Sequence, residues 1–235
     1  YNIREHSGYL RNVIIRKGIN TDELMVIIVT SKKDKQSLLP IVNNLIVNFP
    51  SITSIINNIT SRKAGVSIAE EQLILYGKKY LLEKIGVNSF MISPDSFFQT
   101  NTKQAEKLYD IILEEAKLTG SEIVYDLFCG TGSISLHIAR YAKKVYGFEL
   151  VMSAVEDAMQ NAHLNRIKNA WFFMGNLENL FRKNIEAKNL DSPDIIIVDP
   201  PRAGLHKMTI EDIIDKKPVK IIYISCNPST QARDI

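Results

Sequence analysis

The sequence of 235 residues contains only two cysteines, Cys129 and Cys226, and four scattered histidines. Two cysteines exclude a disulfide-rich scaffold and suit a reducing compartment, so we expect a cytoplasmic protein. None of these residues has the spacing of metal ligands, which leads us to expect no metal in this chain.

Long apolar runs are missing as well. No stretch approaches the roughly 18 consecutive apolar residues of a membrane span, and the N-terminus lacks an apolar signal core. We therefore expect no membrane partner. The chain begins at Tyr1 rather than Met, which fits a fragment, a processed product or part of a longer protein.

The net charge is also small, at +3, and 23% of the residues are charged. This weakly basic balance is compatible with a polyanionic partner but does not argue for one, and lysine pairs such as Lys32-Lys33 are typical of solvated surface. What is present is apolar material: 45% of the residues are hydrophobic, which is enough for one large domain or two smaller ones.

The first part of the chain, residues 1–93, predicts a small mixed α/β unit. Two β-branched runs separated by a turn-rich segment indicate a hairpin, at 10–16 and 24–30. Apolar residues at helical spacing follow over 34–50, with Pro40 expected in the first turn of the helix. Further strands are predicted at 51–57, 72–77 and 79–85, and we expect the sheet to be antiparallel.

The second part, residues 94–235, begins where Pro94 and Asp95 interrupt the preceding strand. Asn101 with Gln104 resembles a capping box at the start of a helix. The face of that helix expected to be buried comprises Leu108, Ile111, Ile112 and Leu118.

From Glu122 onward, near-continuous apolar strands alternate with helical segments. This pattern predicts a mostly parallel sheet covered on both faces, which binds ligands at the carboxyl ends of its strands. The predicted strands are 122–128, 143–149, 170–175, 194–200 and 220–226, so the polar residues that close them are the candidate site residues.

The first of these strands ends in the string Asp126–Ser133. Gly130 and Gly132 permit a tight turn before a helix N-terminus, but Ser135 occupies the third glycine position of the dinucleotide fingerprint. The acid before the turn favours S-adenosylmethionine over a pyrophosphate. The alternative is a plain strand-to-helix turn.

The next three strand ends each offer one polar residue. Glu149 lies 17 residues after Gly132, where an acid can hold ribose hydroxyls or simply begin a helix. Asn176 can meet an adenine edge or supply a turn. Asp199 closes a buried strand before two prolines and Arg202, which favours function over a structural pairing of Asp199 with Arg202.

The last strand ends at Cys226, beside Asn227 and Pro228. A thiol at such an edge can be exposed and nearer to thiolate, which makes Cys226 a candidate nucleophile. Cys129 is the other candidate, but it lies inside the glycine turn, where we expect it to pack rather than react.

Four motifs in this order resemble the RNA uracil-C5 methyltransferases: Ser96–Asn101, Asp126–Gly132, Asp199–Gly204 and Ser225–Asp234. The stretches 8–18 and 23–30 are similar to the central region of the same family, so the resemblance covers nearly the whole chain. It implies a Rossmann-like methyltransferase sheet over 94–235, truncated at its C-terminal end, after a small subdomain that faces RNA.

The resemblance also implies residue roles. Cys226 matches the nucleophile, and Arg202 and Asn227 are expected at the substrate. S-adenosylmethionine is the implied cofactor, and its expected pocket comprises Gln99, Phe128, Gly130, Ser133, Glu149, Asn176 and Asp199. Many relatives have asparagine at position 133.

In that family the thiolate adds to uracil C6, so that C5 becomes nucleophilic enough to take a methyl group, and a base then removes the C5 proton. The implied partner is an RNA loop with a flipped uridine, in ribosomal RNA in preference to transfer RNA. The family's base is a glutamate some thirty residues beyond the cysteine. Because the chain ends at Ile235, we expect this base to lie outside it. Many members also have an N-terminal RNA-binding barrel, and some have an iron–sulfur cluster held by four cysteines, and we expect neither in this chain.

Two other classes stay open. The first is a different S-adenosylmethionine-dependent nucleic-acid methyltransferase acting on an exocyclic amine, although Arg202 stands where such enzymes carry an aromatic residue. The second is a non-catalytic fragment that binds the cofactor or RNA. A nicotinamide oxidoreductase is disfavoured, because the glycine pattern fails.

Overall fold

The computed structural model describes residues 1–2, 4–62, 69–175 and 189–235. The chain forms two compact units, which we call the first unit (Tyr1–Lys84 with Phe90–Ser96) and the second unit (Ile85–Ser89 with Phe97–Ile235). The predicted division between residues 93 and 94 lies in the stretch where segments of the two units alternate. No helix in the described ranges combines the length and apolar character needed to cross a membrane.

The first unit contains a four-stranded sheet in the order β1-β2-β3-β4. Its elements are β1 (Leu10–Lys17), β2 (Leu24–Thr30), α1 (Lys35–Asn48), β3 (Ile52–Ile59) and β4 (Glu71–Gly77). The outer pairs are antiparallel, but β2 and β3 are parallel. The prediction of an antiparallel sheet was therefore wrong in the middle, because α1 acts as a crossover connection that returns the chain in the same direction.

Helix α1 begins after Asp34, whose side chain accepts a hydrogen bond from the N–H of Ser37. Because the helix starts at Lys35, Pro40 lies in its second turn and not in the first turn as predicted. The helix buries Leu38 and Val42 against the sheet. A two-stranded sheet of β5 (Leu81–Ile85) and β6 (Asn88–Ile92) follows in the chain, and β6 was not predicted.

The second unit contains a five-stranded sheet in which every pairing is parallel, in the order β11-β10-β7-β8-β9. This confirms the predicted Rossmann-like α/β class. The strands are β7 (Ile123–Leu127), β8 (Lys144–Glu149), β9 (Ala170–Met174), β10 (Ile195–Val198) and β11 (Lys220–Tyr223). Among the described residues of this unit, the helices are α2 (Thr102–Ala116), α3 (Ser133–Ile138), α4 (Met152–Leu164), α5 (Lys207–Lys216) and α6 (Pro228–Asp234).

The three central strands of this sheet, β7, β8 and β10, are buried, as expected for a parallel sheet, whereas the edge strands β9 and β11 are partly exposed. On one face, Tyr125 and Leu127 of β7 pack in a cluster with Phe148 of β8, Val198 of β10 and Ile213 of α5. Successive side chains of a strand point to opposite faces, so Asp126 lies on the other face. The central strand thus contributes apolar residues to one layer and a carboxyl group to the other.

Helix α2 begins as predicted, since the side chain of Asn101 accepts a hydrogen bond from the N–H of Gln104. Its predicted buried face was wrong in part. Ile111 is 55% exposed, and Leu118 lies beyond the end of the helix. Ile112 is buried as predicted, and the other buried side chains are Thr102, Ala105, Tyr109 and Ala116.

Candidate active site

The turn after β7 is formed by three residues with positive φ: Phe128 at 66°, Gly130 at 54° and Gly132 at 79°. Glycine adopts this left-handed region readily, whereas Phe128 must be held there. The carbonyl of Phe148 accepts hydrogen bonds from the N–H groups of Phe128 (2.9 Å) and Cys129 (3.1 Å). These bonds fix the turn against β8 and direct the chain into α3.

Glu149, at the end of β8, contacts this turn directly. Its Oε2 accepts a hydrogen bond from the N–H of Gly130 at 3.0 Å. Its Oε1 accepts from the N–H groups of Leu150 (2.7 Å) and Val151 (2.9 Å) at the start of α4. The carboxylate therefore supports the start of α4, as one interpretation expected, and it lies beside the glycine turn. Its role toward ribose hydroxyls stays a prediction.

One cavity of the second unit brings together five of the predicted cofactor residues: Gln99, Phe128, Gly130, Ser133 and Asp199. Asn176 lies outside the described residues. The cavity is also lined by Phe97, Phe98, Tyr109, Cys129, Thr131 and Ile134. Aromatic faces, an amide and a carboxylate around a glycine turn are a donor and acceptor set that suits an adenosyl group with a cationic sulfonium.

Burial disfavours the charged form of two carboxyl groups at the ends of neighbouring strands. Burial raises the pKa of Asp199, which lines the cavity. Burial also raises the pKa of Asp126 to about 7, although the Ser135 hydroxyl, which donates to Oδ2 at 2.5 Å, opposes the rise. Asp126 Oδ1 has no hydrogen-bond partner among the described residues. A bound cation in this region would be favoured by both carboxylates.

Ser133 begins α3, and its side chain is already engaged. Its hydroxyl lies 2.8 Å from the hydroxyl of Tyr109, in α2, and burial raises the pKa of that phenol. Tyr109 is therefore a cavity residue that sequence reasoning missed. Tyr109 lies four residues after Ala105, and this helical spacing could have placed it on the buried face of α2. The predicted buried face included Ile111 instead.

Cys226 lies three residues after the end of β11, and it is exposed. Next to it, the Ser225 hydroxyl accepts a hydrogen bond from the N–H of Asn227 at 3.0 Å and donates to the Asn227 carbonyl at 2.9 Å. The side chain of Asn227 accepts from the N–H of Ser229 and so caps α6. The thiol is thus carried on a locally fixed turn.

The turn that carries Cys226 is tied to the loop after β10. Strands β10 and β11 are parallel neighbours, so their carboxyl ends lie side by side. The amide of Asn227 donates to the carbonyl of Arg202 at 3.2 Å. Asp199 and Cys226, which close these two strands, therefore follow adjacent strands at the same edge of the sheet, while the Arg202 side chain is exposed.

Cys129 contrasts with Cys226 because only 5% of it is exposed. Burial, together with the nearby charges of Asp126 and Glu149, raises the pKa of its thiol. A Cβ added to Gly147 would lie 2.9 Å from the Cys129 sulfur, so the cysteine packs directly over β8. This environment agrees with the packing role expected for Cys129.

Residues 53–235 match the family model described as tRNA (uracil-5-)-methyltransferase. The chain belongs to this family. Membership agrees with the resemblance drawn from the four motifs, and with the parallel sheet whose carboxyl edge carries three of them.

Two curated relatives are uncharacterized RNA methyltransferases. One, from Chlorobaculum tepidum, is 42% identical over 235 residues, which are all of this chain and 49% of that protein. The other, from Staphylococcus aureus, is 42% identical over 227 residues, or 97% of this chain and 50% of that protein. The chain therefore spans about half the length of these relatives.

A solved structure is similar over the whole chain. It is the tRNA (uracil-54, C5)-methyltransferase of Pyrococcus abyssi in complex with S-adenosyl-L-homocysteine, with a TM-score of 0.79 and 32% identity. The match covers 100% of this chain and 54% of that one.

Two residues outside the predicted set, Asn161 and Phe172, also support the glycine turn. The side-chain amide of Asn161, in α4, donates a hydrogen bond to the carbonyl of Thr131 at 3.1 Å and so stabilises the glycine turn. A Cβ on Gly132 would lie 3.0 Å from the ring of Phe172. Neither Asn161 nor Phe172 was singled out in the sequence, because their contacts depend on how α4 and β9 pack.

Proposed function

We propose that the protein transfers a methyl group from S-adenosylmethionine to C5 of a uridine in RNA, with Cys226 forming a covalent bond to C6 of the base. The observation that carries this proposal is an exposed thiol at the carboxyl edge of the sheet. That thiol follows the strand adjacent to the one that Asp199 closes, and Asp199 lines the cavity beside the glycine turn.

The residues that line the cavity, together with Glu149 beside the glycine turn, support the cofactor. We assign Glu149 to the ribose hydroxyls, Phe128 to the adenine ring, and Gln99, Gly130, Ser133 and Asp199 to the remaining polar groups, with Asn176 as a further pocket residue. S-adenosylmethionine, when bound, supplies an electrophilic methyl group for C5 of the base. The structure of the Pyrococcus abyssi enzyme with S-adenosyl-L-homocysteine supports the same choice of cofactor.

The role of Cys226 follows from the chemistry of uracil, whose C5 is a poor nucleophile. The thiolate adds to C6, forming a sulfur–carbon bond and moving the double-bond electrons to C5 and the O4 carbonyl as an enolate. After methylation, a general base takes the C5 proton, and the electron pair of that C–H bond re-forms the double bond as the sulfur leaves. In the family the resemblance assigns this base to a glutamate.

The RNA is assigned to the exposed side of the same edge. Arg202 presents a fork-shaped cation that suits phosphate or a base edge. Asn227, the other predicted substrate residue, lies beside the thiol with its side-chain amide bonded to the carbonyl of Arg202 and the N–H of Ser229. The target uridine must leave its stack to reach Cys226, which favours a single-stranded loop. The N-terminal segment 1–93, as bounded from the sequence, is expected to face the RNA.

The RNA substrate has two candidates. Ribosomal RNA stays the predicted substrate, and transfer RNA is the alternative that the family description and the Pyrococcus abyssi enzyme support. Mass spectrometry of 5-methyluridine in separated ribosomal and transfer RNA, from cells with and without the protein, distinguishes the two.

The mechanism is tested with RNA that contains 5-fluorouridine and the full-length protein. Fluorine at C5 cannot leave as a proton, so the methylated base should stay attached to the enzyme. We expect a covalent adduct that maps to Cys226 and depends on S-adenosylmethionine.

The matched variants are Cys226→Ala, which should form no adduct, and Cys129→Ala, which should still form one if it folds. Methyl transfer by Cys226→Ala would favour the amine-directed methyltransferase instead. An adduct mapped to Cys129 would overturn the assignment of the nucleophile.

A further inference from the structure

Asp234, in the last turn of α6, has a fully buried side chain, although its neighbour Arg233 is 57% exposed. Oδ2 of Asp234 accepts hydrogen bonds from the hydroxyl of Tyr223 and the N–H of Leu205, each at 2.7 Å. Tyr223 ends β11 and Leu205 lies in the loop after β10. One carboxylate therefore joins the end of β11, the loop after β10 and helix α6.

Arg233 completes this arrangement. Its Nε and Nη2 donate to Oδ1 of Asp234 at 2.8 and 2.6 Å. Its Nη2 also donates to the carbonyl of Ala203 at 3.0 Å. Although burial opposes ionisation, the bonds from Leu205, Tyr223 and Arg233 lower the pKa of Asp234, so the carboxylate is charged at neutral pH.

The loop after β10 is shaped to accept this pair. Gly204 has φ at 80°, and a Cβ added there would lie 2.5 Å from Oδ2 of Asp234 and 2.6 Å from Nη2 of Arg233. The loop is held a second time at Arg202, whose carbonyl accepts from Asn227 at 3.2 Å and from Thr230 at 3.4 Å. Both attachments connect the segment after Asp199 to the segment that carries Cys226.

We propose that Asp234 is a positioning residue, which fixes the loop after Asp199 against the turn of Cys226 and so sets the thiol relative to the cofactor cavity. The inference rests on the proposed function, because it concerns the geometry of the same reaction. It does not place Asp234 in contact with the base or the cofactor.

The test uses the full-length protein and the variant Asp234→Asn, which keeps the shape but removes the charge that binds four donor groups of Leu205, Tyr223 and Arg233. We expect kcat for methyl transfer, and the rate of adduct formation with 5-fluorouridine RNA, to fall together by about ten- to hundredfold. The dissociation constant of S-adenosylmethionine, measured by calorimetry, should stay within about twofold, because Asp234 does not line the cavity. The matched control is Glu211→Gln, an exposed carboxylate of α5 paired with Lys207, which should change neither quantity.

The outcomes separate the two proposals. An inactive wild-type protein that also forms no adduct would overturn the proposed function. An active wild type with unchanged kcat in Asp234→Asn, at temperatures where both are folded, would overturn only the positioning role. If Asp234→Asn does not fold, Tyr223→Phe removes one of the four donor groups, and it should lower kcat by a smaller factor at constant cofactor affinity.

Discussion

Cys129 and Cys226 both follow a parallel strand of the same sheet, at the same edge, yet their thiols lie in opposite environments. The left-handed turn after β7 folds Cys129 back over Gly147 of β8, where it is buried. The turn after β11 runs directly into Asn227 and Pro228 and leaves Cys226 exposed. The position of a cysteine at a strand end is therefore insufficient to make it a nucleophile, because the turn that follows decides whether solvent or substrate reaches the sulfur.

The largest expected difference between the two thiols is in alkylation. With iodoacetamide near pH 8, native protein should be labelled at Cys226 at least about a hundredfold faster than at Cys129, since burial keeps Cys129 protonated and inaccessible. Peptide mass spectrometry measures both rates, and in denaturant the two cysteines should react alike. Equal labelling of native protein would break the comparison.

A second test concerns Asp126, the acid that lies near Cys129. Burial raises its pKa to about 7, against about 4 in an unfolded chain. Between these values the native state holds a proton that the unfolded state releases, so this group makes the free energy of unfolding fall as pH rises.

Asp126→Asn removes this pH dependence. Between pH 5 and pH 7, the free energy of unfolding of the variant should therefore rise by about 2 kcal/mol relative to that of the wild type. Urea titrations at both pH values measure the change, and Asp22→Asn, an exposed carboxylate, serves as the control. Cys129 should stay unlabelled in Asp126→Asn, because burial is the main cause of its protection. Rapid labelling would instead make the charge of Asp126 the decisive factor.

The smallest expected effect compares serine substitutions at the two cysteines. Cys129→Ser places a hydroxyl group in a buried site and should lower the free energy of unfolding by about 1–3 kcal/mol. Cys226→Ser changes an exposed side chain and should stay within about 0.5 kcal/mol of the wild type. Chemical denaturation gives both values; a larger loss for Cys226→Ser would mean that its turn has a structural role that we have not assigned.

Much of the second unit was predictable because parallel strands and glycine turns leave strong local patterns. The alternation of apolar strands with helical segments after Glu122 predicted the sheet. The residues that follow the strands included Gly130 and Asp199, which line the cavity. What the sequence did not give depends on tertiary packing. The parallel pairing of β2 with β3, the buried face of α2 and the bond between Tyr109 and Ser133 all require knowing which elements are neighbours.

Gly204 limits which residues of the loop after β10 can be changed to redesign the protein for another substrate. Its φ of 80° strains any other residue, and a Cβ there would displace the Asp234 carboxylate and the Arg233 guanidinium. Saturation mutagenesis of this loop should therefore favour glycine at that position. Pro201, Arg202 and Ala203 are exposed and free of this restriction. A library that randomises only these three residues would therefore sample new specificities while keeping the backbone on which they stand.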